Sequence, residues 1–239
     1  ANNSWLRQGV LNILLEEGLM GKGRISFTAV DGFGELDRSV RDYINKRATA
    51  TYKQVESRVT TAVREKIRQH LFSSGTTQSI LNGKLRSDFG LTYPAAQIAV
   101  NSIISHVIDN IKVSIKYSYK GANIAIFSLD LLPLGMDKLS QLPEGNYISS
   151  GKYGGGDVTW LTWLLTRGTT VVIGDFYVFE GISGTSRSNE SVMQRGRSGF
   201  RVEPGFAGTE NDNFVTRALD PIIPEIRDEV FKTFIEALT

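Results

Sequence analysis

The chain has 239 residues, of which 41% are hydrophobic, 22% charged and 10% aromatic, and 27 lysines and arginines stand against 25 aspartates and glutamates for a formal charge of +2. Such proportions belong to an ordinary globular protein and exclude a disordered tail, a collagen or a disulfide scaffold. The absence of cysteine excludes thiol catalysis and thiolate metal sites, and a charge this close to neutral points to neither nucleic acid nor membrane.

The first elements are read from spacing. Trp5, Leu6, Val10, Ile13 and Leu14 recur at helical intervals, which predicts a helix over about 4–17 ended by Gly18. The alternating Arg24-Ile-Ser-Phe-Thr-Ala-Val30, set among glycines, predicts one short strand. From Glu35 to Phe72 there is neither proline nor glycine. Apolar or small residues fall there at 36, 40, 44, 48, 52, 55, 59, 63, 67 and 71. This sparse stripe predicts one long helix, and steps mostly of four make it drift around the helix axis. The same stretch holds nine basic and five acidic residues, so it is a solvated face or a helix projecting toward a partner.

Ile80, Leu81, Leu85 and Phe89 predict a short helix with Gly90 as its C-terminal stop. Pro94 opens a β-branched helix through Ile98, Val100, Ile103, Ile104, Val107 and Ile108, which only burial can sustain. After Asn110 the period changes to two, and Lys120-Gly-Ala-Asn joins two alternating runs over 111–129 into a hairpin. Short helices are predicted over 131–141 and 158–165, a strand over 171–179, and a last helix opened by Asp220-Pro221. Ile226, Val230, Phe234 and Leu238 form an apolar face on that helix, a candidate interaction surface.

The fold class expected is α+β: long N-terminal helices on a small, mostly antiparallel sheet, with a long Gly/Ser/Arg loop and a C-terminal helix. A single domain over 1–239 is expected, with a projecting helix at about 35–72. No apolar run approaches the ~20 residues that span a bilayer, and Ala1-Asn-Asn-Ser lacks the regions of a signal peptide. No membrane partner is therefore expected, and the lack of cysteine fits a reducing cytoplasm.

Chemistry-bearing motifs are scarce. His70 and His106 are the only histidines, and neither has a second ligand at metal-site spacing. Gly151-Lys-Tyr-Gly-Gly-Gly156 and Gly18-Leu-Met-Gly-Lys-Gly23 lack the ending of a phosphate-binding loop, and no Gly-x-Ser-x-Gly elbow occurs. No enzyme, metal or cofactor is expected. The segment 181–201 is rich in glycine and serine, which predicts a mobile arm that orders on binding. Arg187, Arg195, Arg197 and Arg201 are its candidate docking charges.

Three stretches together carry a resemblance. They are Ser74-Gly-Thr-Thr-Gln-Ser-Ile-Leu-Asn-Gly-Lys-Leu-Arg-Ser-Asp-Phe-Gly-Leu91, the Ser186-Arg-Ser-Asn loop with Met193 downstream, and Phe200-Arg-Val-Glu-Pro-Gly-Phe-Ala-Gly-Thr209 followed by Asn213-Phe-Val-Thr-Arg-Ala218. They resemble the neck or tail-completion proteins of tailed bacteriophages, which form rings at the head–tail junction. The resemblance implies a structural virion protein, assembled in the host cytoplasm, with no catalytic residues. Its partners would be further copies of itself in a ring and the adjoining portal, adaptor and tail proteins. DNA would pass through the channel without sequence-specific binding. A tail terminator or tube-end protein is the alternative. A nucleic-acid-binding module using the basic long helix is a third reading, testable by the salt dependence of its affinity.

Overall fold

A computed structural model describes residues 12–16, 24–30, 38–117, 123–130, 135–146, 159–181, 186, 188–197 and 199–238. The fold is α+β, and every strand pair among the described residues is antiparallel. The chain divides into two compact units where the sequence suggests one domain. One comprises 1–66, 111–133 and 224–239, and the other 67–110 and 134–223. Two of its four cut points, 66/67 and 223/224, fall within α-helices and so carry no linker composition.

In the first unit, strands β1 (Asn12–Glu16), β2 (Arg24–Val30), β3 (Lys112–Tyr117) and β4 (Asn123–Asp130) form one sheet in the order β1-β2-β4-β3. The helix expected over 4–17 is corrected at 12–16, which is strand; the rest of that span lies outside the described residues. Ile13-Leu-Leu15 is a short apolar run whose spacing fits either state, and pairing of Leu14 with Thr28 decides it. The two strands of the hairpin pair as read, with Val113 opposite Leu129 and Ile115 opposite Phe127, while 118–122, which hold most of the expected turn, lie outside the described residues. Its inner strand β4 is covered on the other side by β2, an association no local pattern encodes.

The long helix is α1 (Arg38–Ser73), 36 residues, about 54 Å at 1.5 Å per residue. Its described stripe, Val55, Val59, Val63, Ile67 and Leu71, is at most 1% exposed. The chain itself therefore covers this part of the stripe. Arg64 donates from Nη2 to the Ile111 carbonyl at 3.2 Å, tying α1 to the start of β3. The last helix is α8 (Ile223–Leu238), and Lys66 of α1 meets its Glu225 at 2.6 Å.

The second unit opens with α2 (Gly75–Asn82), α3 (Lys84–Asp88) and α4 (Tyr93–Asp109). Ser74 caps α2, its Oγ accepting from the Thr77 amide, and Thr92 caps α4 in the same way toward Ala95. The β-branched face of α4 is buried through Val100, Ile103, Ile104, Val107 and Ile108, so burial overrides propensity as expected. Helices α5 (Gly135–Ser140) and α6 (Trp160–Leu165) follow, the latter burying Trp160, Leu161, Leu164 and Leu165 completely. The glycine run 151–156 lies outside the described residues.

The strand expected over 171–179 is two. β5 (Val171–Ile173) and β6 (Phe176–Glu180) are separated by Gly174 and Asp175, the latter left-handed at φ 57°. Each then pairs elsewhere: β6 with β7 (Ser191–Arg195), and β5 with β8 (Phe200–Arg201). Both partners come from the segment expected as a mobile arm, and that expectation is corrected for 191–195 and 200–201. Of the segment's described glycines and serines only Ser191 lies within a strand, and Val192, Met193 and Phe200 pair. A short helix, α7 (Phe214–Leu219), runs through a 3-10 turn at Asp220–Ile222 into α8, so Asp220-Pro221 is a junction rather than a free start.

Candidate functional site

The segments that carry the resemblance all lie in the second unit, and side chains join them. Gly83 sets the approach: a Cβ there would fall 2.9 Å from the Ser79 Cα, so only glycine allows α3 to follow α2 this tightly. Ser79 Oγ accepts the Leu85 amide at 3.1 Å, and Gly90, at φ +59°, closes α3 as expected. The turn so fixed presents Lys84, Arg86 and Ser87, while Leu85 is buried beneath.

Each of these meets a residue more than a hundred positions away. Arg86 forms an ion pair with Glu190, its side chain only 15% exposed. Ser191 donates from Oγ to the Ser87 carbonyl at 2.6 Å, and Ser186 donates to the Ser191 carbonyl at 2.6 Å. The Gly181 amide donates to the Glu190 carbonyl at 2.8 Å, closing the base of the β6–β7 ribbon. Lys84 meets Glu203 at 3.1 Å, both about half exposed. Below them Phe89 packs against Trp160 at 5.2 Å and edge-on to Phe200 at 6.3 Å.

The second half of the signature builds a helix cap. Asn213 is fully buried; its Oδ1 accepts the Val215 and Thr216 amides, and its Nδ2 donates to the Thr209 and Glu210 carbonyls. Thr216 Oγ1 accepts the Asn213 amide at 2.9 Å, completing a capping box. Gly208 admits no side chain, since a Cβ would fall 2.0 Å from the Leu164 carbonyl oxygen. Arg217 ties the loop together, donating to both Asp212 carboxylate oxygens at 2.5 and 2.9 Å and to the Gly205 and Ala207 carbonyls at 3.1 Å. That hydrogen bonding holds the Asp212 carboxyl below the usual range and raises the Arg217 guanidinium. Asp220 is pushed up instead, first by burial and then by the charge of Asp212.

The expected site residues are distributed rather than clustered. Arg195 ends β7 opposite Phe176, Arg197 follows, and both are exposed. Arg201, on β8 opposite Val171, donates to the Thr169 carbonyl at 3.2 Å, and Arg187 lies outside the described residues. On α8, Ile226 is 0% and Val230 6% exposed, so these two serve the core of this chain. This corrects their reading as an open face; the side chains of Phe234 and Leu238 lie outside the described set. His70 sits in the last turn of α1, and His106 is half-buried on α4. Among the described residues no group of three or more histidines and carboxylates could hold a metal ion, and no helix is long and apolar enough to cross a membrane.

Sequence reasoning missed Arg86, Ser87, Glu190 and Ser191 as a contact, because a pairing across 104 positions leaves no local trace. Comparison with known protein families, with curated proteins and with solved structures finds no match to this chain.

Proposed function

We propose that this chain is a structural virion protein of a tailed bacteriophage, forming a ring in the neck that joins the portal and adaptor to the tail. The observation that carries the proposal is the convergence of the three stretches that resemble neck proteins. Separated along the chain, they are linked through Arg86–Glu190, Ser87–Ser191, Lys84–Glu203 and Phe89–Phe200. Their meeting in one unit supports reading them together as parts of one structural element. The β6–β7 ribbon adds exposed residues, Tyr177, Phe179 and Met193, of the kind that heterologous subunit contacts use. No catalytic step is proposed; the role is assembly, with DNA passing through the ring.

The test is genetic and structural together. Removing the gene for this chain from its phage should leave filled heads and complete tails that do not join, and supplying the protein in trans should restore joining. Electron cryomicroscopy of the intact particle should then find it in a ring at the junction. Particles that join normally without the protein, or that do not contain it, would overturn the proposal.

A further inference from the structure

Two faces of the second unit are exposed and free of charge, and each carries uncovered apolar side chains. The first is on α4. From Leu91 to Ile108 the chain has no aspartate, glutamate, lysine or arginine, whereas at 22% charged a span of 18 residues carries about four. Burial accounts for the inner face of the helix only. The outer face, with Tyr93, Pro94, Ala95, Gln97, Ile98 and Asn101, is exposed, where a helix ordinarily carries its charges. Tyr93 is 48% and Ile98 60% exposed, and Gln97 Nε2 donates to the Tyr93 hydroxyl at 2.9 Å, bracing that ring. The neighbours of Ile98 at three and four positions along the helix are Pro94, Ala95, Asn101 and Ser102. All are small or short, so Ile98 stands above them as a single apolar knob.

The second face is on the β6–β7 ribbon. Gly181 and Gly196 donate to the carbonyls of Glu190 and Asp175, so the inward-pointing amides of β7 are those of Val192 and Gln194. Directly paired residues share a face, which places Tyr177 and Phe179 with Gln194 and Val192 and puts Arg195, opposite Phe176, on the other face. Tyr177 is 37% and Phe179 51% exposed. Their rings lean toward opposite ends of the ribbon. A Cβ on Gly196, at one end, would fall 2.6 Å from Tyr177 Cδ1, and one on Gly181, at the other, 3.2 Å from Phe179 Cε1. The Tyr177 hydroxyl donates to Gln194 at 3.0 Å, which fixes that ring further. Side chains two apart on one strand start about 7 Å from each other, so the splayed rings leave a cleft between them. Its braced walls lose little entropy on docking.

We infer that the Ile98 knob of one copy seats in the cleft between Tyr177 and Phe179 of a second copy. Neither face carries a charge, so the two lose water together without burying an unpaired ion, which a charged partner surface would force. Charge depletion and exposed tyrosine and phenylalanine are the composition of an interface core. Knob and cleft are different surfaces, so the contact is head-to-tail and propagates from copy to copy, closing into a ring where the rotation allows. The inference rests on the ring-forming reading and names the surfaces that make the ring.

The experiment uses the absence of cysteine from the chain, which makes any cysteine introduced the only one. Asn101→Cys stands beside the knob and Gln194→Cys beside the cleft, both at exposed positions. With a short bis-maleimide, an equimolar mixture of the two purified full-length variants should cross-link about tenfold or more faster than either alone, because docking raises the effective concentration of the unlike pair. Adding I98E to the first variant sets an unpaired charge against the cleft and should return the mixture to the single-variant rate. F179S in the second variant should do the same from the other side. Ile98 and Phe179 are exposed, so unchanged melting of these variants shows that folding is intact. The inference is overturned if the mixture reacts no faster than the single variants, if either variant alone reacts as fast as the mixture, or if I98E and F179S leave the rate unchanged. A ring in the particle without this cross-link would refute these surfaces and leave the virion role standing. The cross-link in a protein absent from the particle would refute the virion role alone.

Discussion

Replacing Asn213 by alanine tests whether the capping loop holds the second unit together. The side chain is fully buried and makes four hydrogen bonds, two accepted from the first turn of α7 and two donated to the loop before it. Losing an N-cap costs about 0.5–2 kcal/mol. The Thr209 and Glu210 carbonyls also lose a partner, and a buried group left without one costs about 1–3 kcal/mol. Part of that is recovered where water reaches the exposed loop, so a total of about 2–4 kcal/mol is expected. At roughly 2–4 °C per kcal/mol for a chain of this size, the melting temperature should fall by several degrees, up to about 15 °C. Asn213→Asp keeps the two accepted bonds but sets a buried carboxylate oxygen against the Thr209 and Glu210 carbonyls, so it should not restore wild-type stability. Urea unfolding of the three proteins, followed by far-ultraviolet circular dichroism, measures the differences. An alanine variant within about 0.5 kcal/mol of wild type would refute the reasoning, because surface substitutions alone reach that size.

A double-mutant cycle on Arg86 and Glu190 should give a coupling of about 1 kcal/mol or more, because Arg86 is 15% exposed, whereas Lys84–Glu203, half exposed, should give less than about 0.5 kcal/mol. Equal couplings in the two cycles would contradict the packing of the loop on α3. Gly208→Ala should be among the most damaging single-methyl changes in the unit, read as a large loss in denaturation midpoint, since the Leu164 carbonyl oxygen leaves no room. Amide exchange should be slow at Val192 and Gln194 and faster at Met193 and Arg195, and uniformly fast exchange over 191–195 would restore the mobile-arm reading. The folded-state pKa of Asp220 lies above its ordinary 3.8, so its charge opposes folding at neutral pH and that penalty disappears as pH falls below 3.8. Asp220→Asn should therefore stabilise at pH 7 and not at pH 3. Asp212 has the opposite sign: its stabilisation is present above 3.8 and lost as pH falls through its depressed value, so D212N should destabilise at pH 7.

Local patterns carried most of the helices. The proline-free stripe became α1, Gly90 closed α3 in the left-handed region, and Pro94 opened α4, since each depends on backbone geometry within a few residues. The hairpin over 111–129 was legible for the same reason. Long-range pairing was not. Ile13-Leu-Leu15 joined a sheet because Arg24–Val30 was there to pair with it, and 191–195 and 200–201 became strands because β6 and β5 offered edges. The same blindness hid the Arg86–Glu190 contact and mistook Ile226 and Val230 for an open face. An amphipathic stripe reports that a face is covered but not by which chain.

The interleaving of the two units bears on the order in which the chain can fold during synthesis. The first unit includes residues 224–239, so it cannot be complete until the final helix has left the ribosome. The second ends at 223 and has every segment it needs by then. Residues 1–66 are made first, yet their unit is whole only when residues 111–133 and 224–239 have joined it. Domains otherwise tend to fold from the N-terminus onward as they emerge. Here the C-terminal helix acts as the closing piece of the first unit.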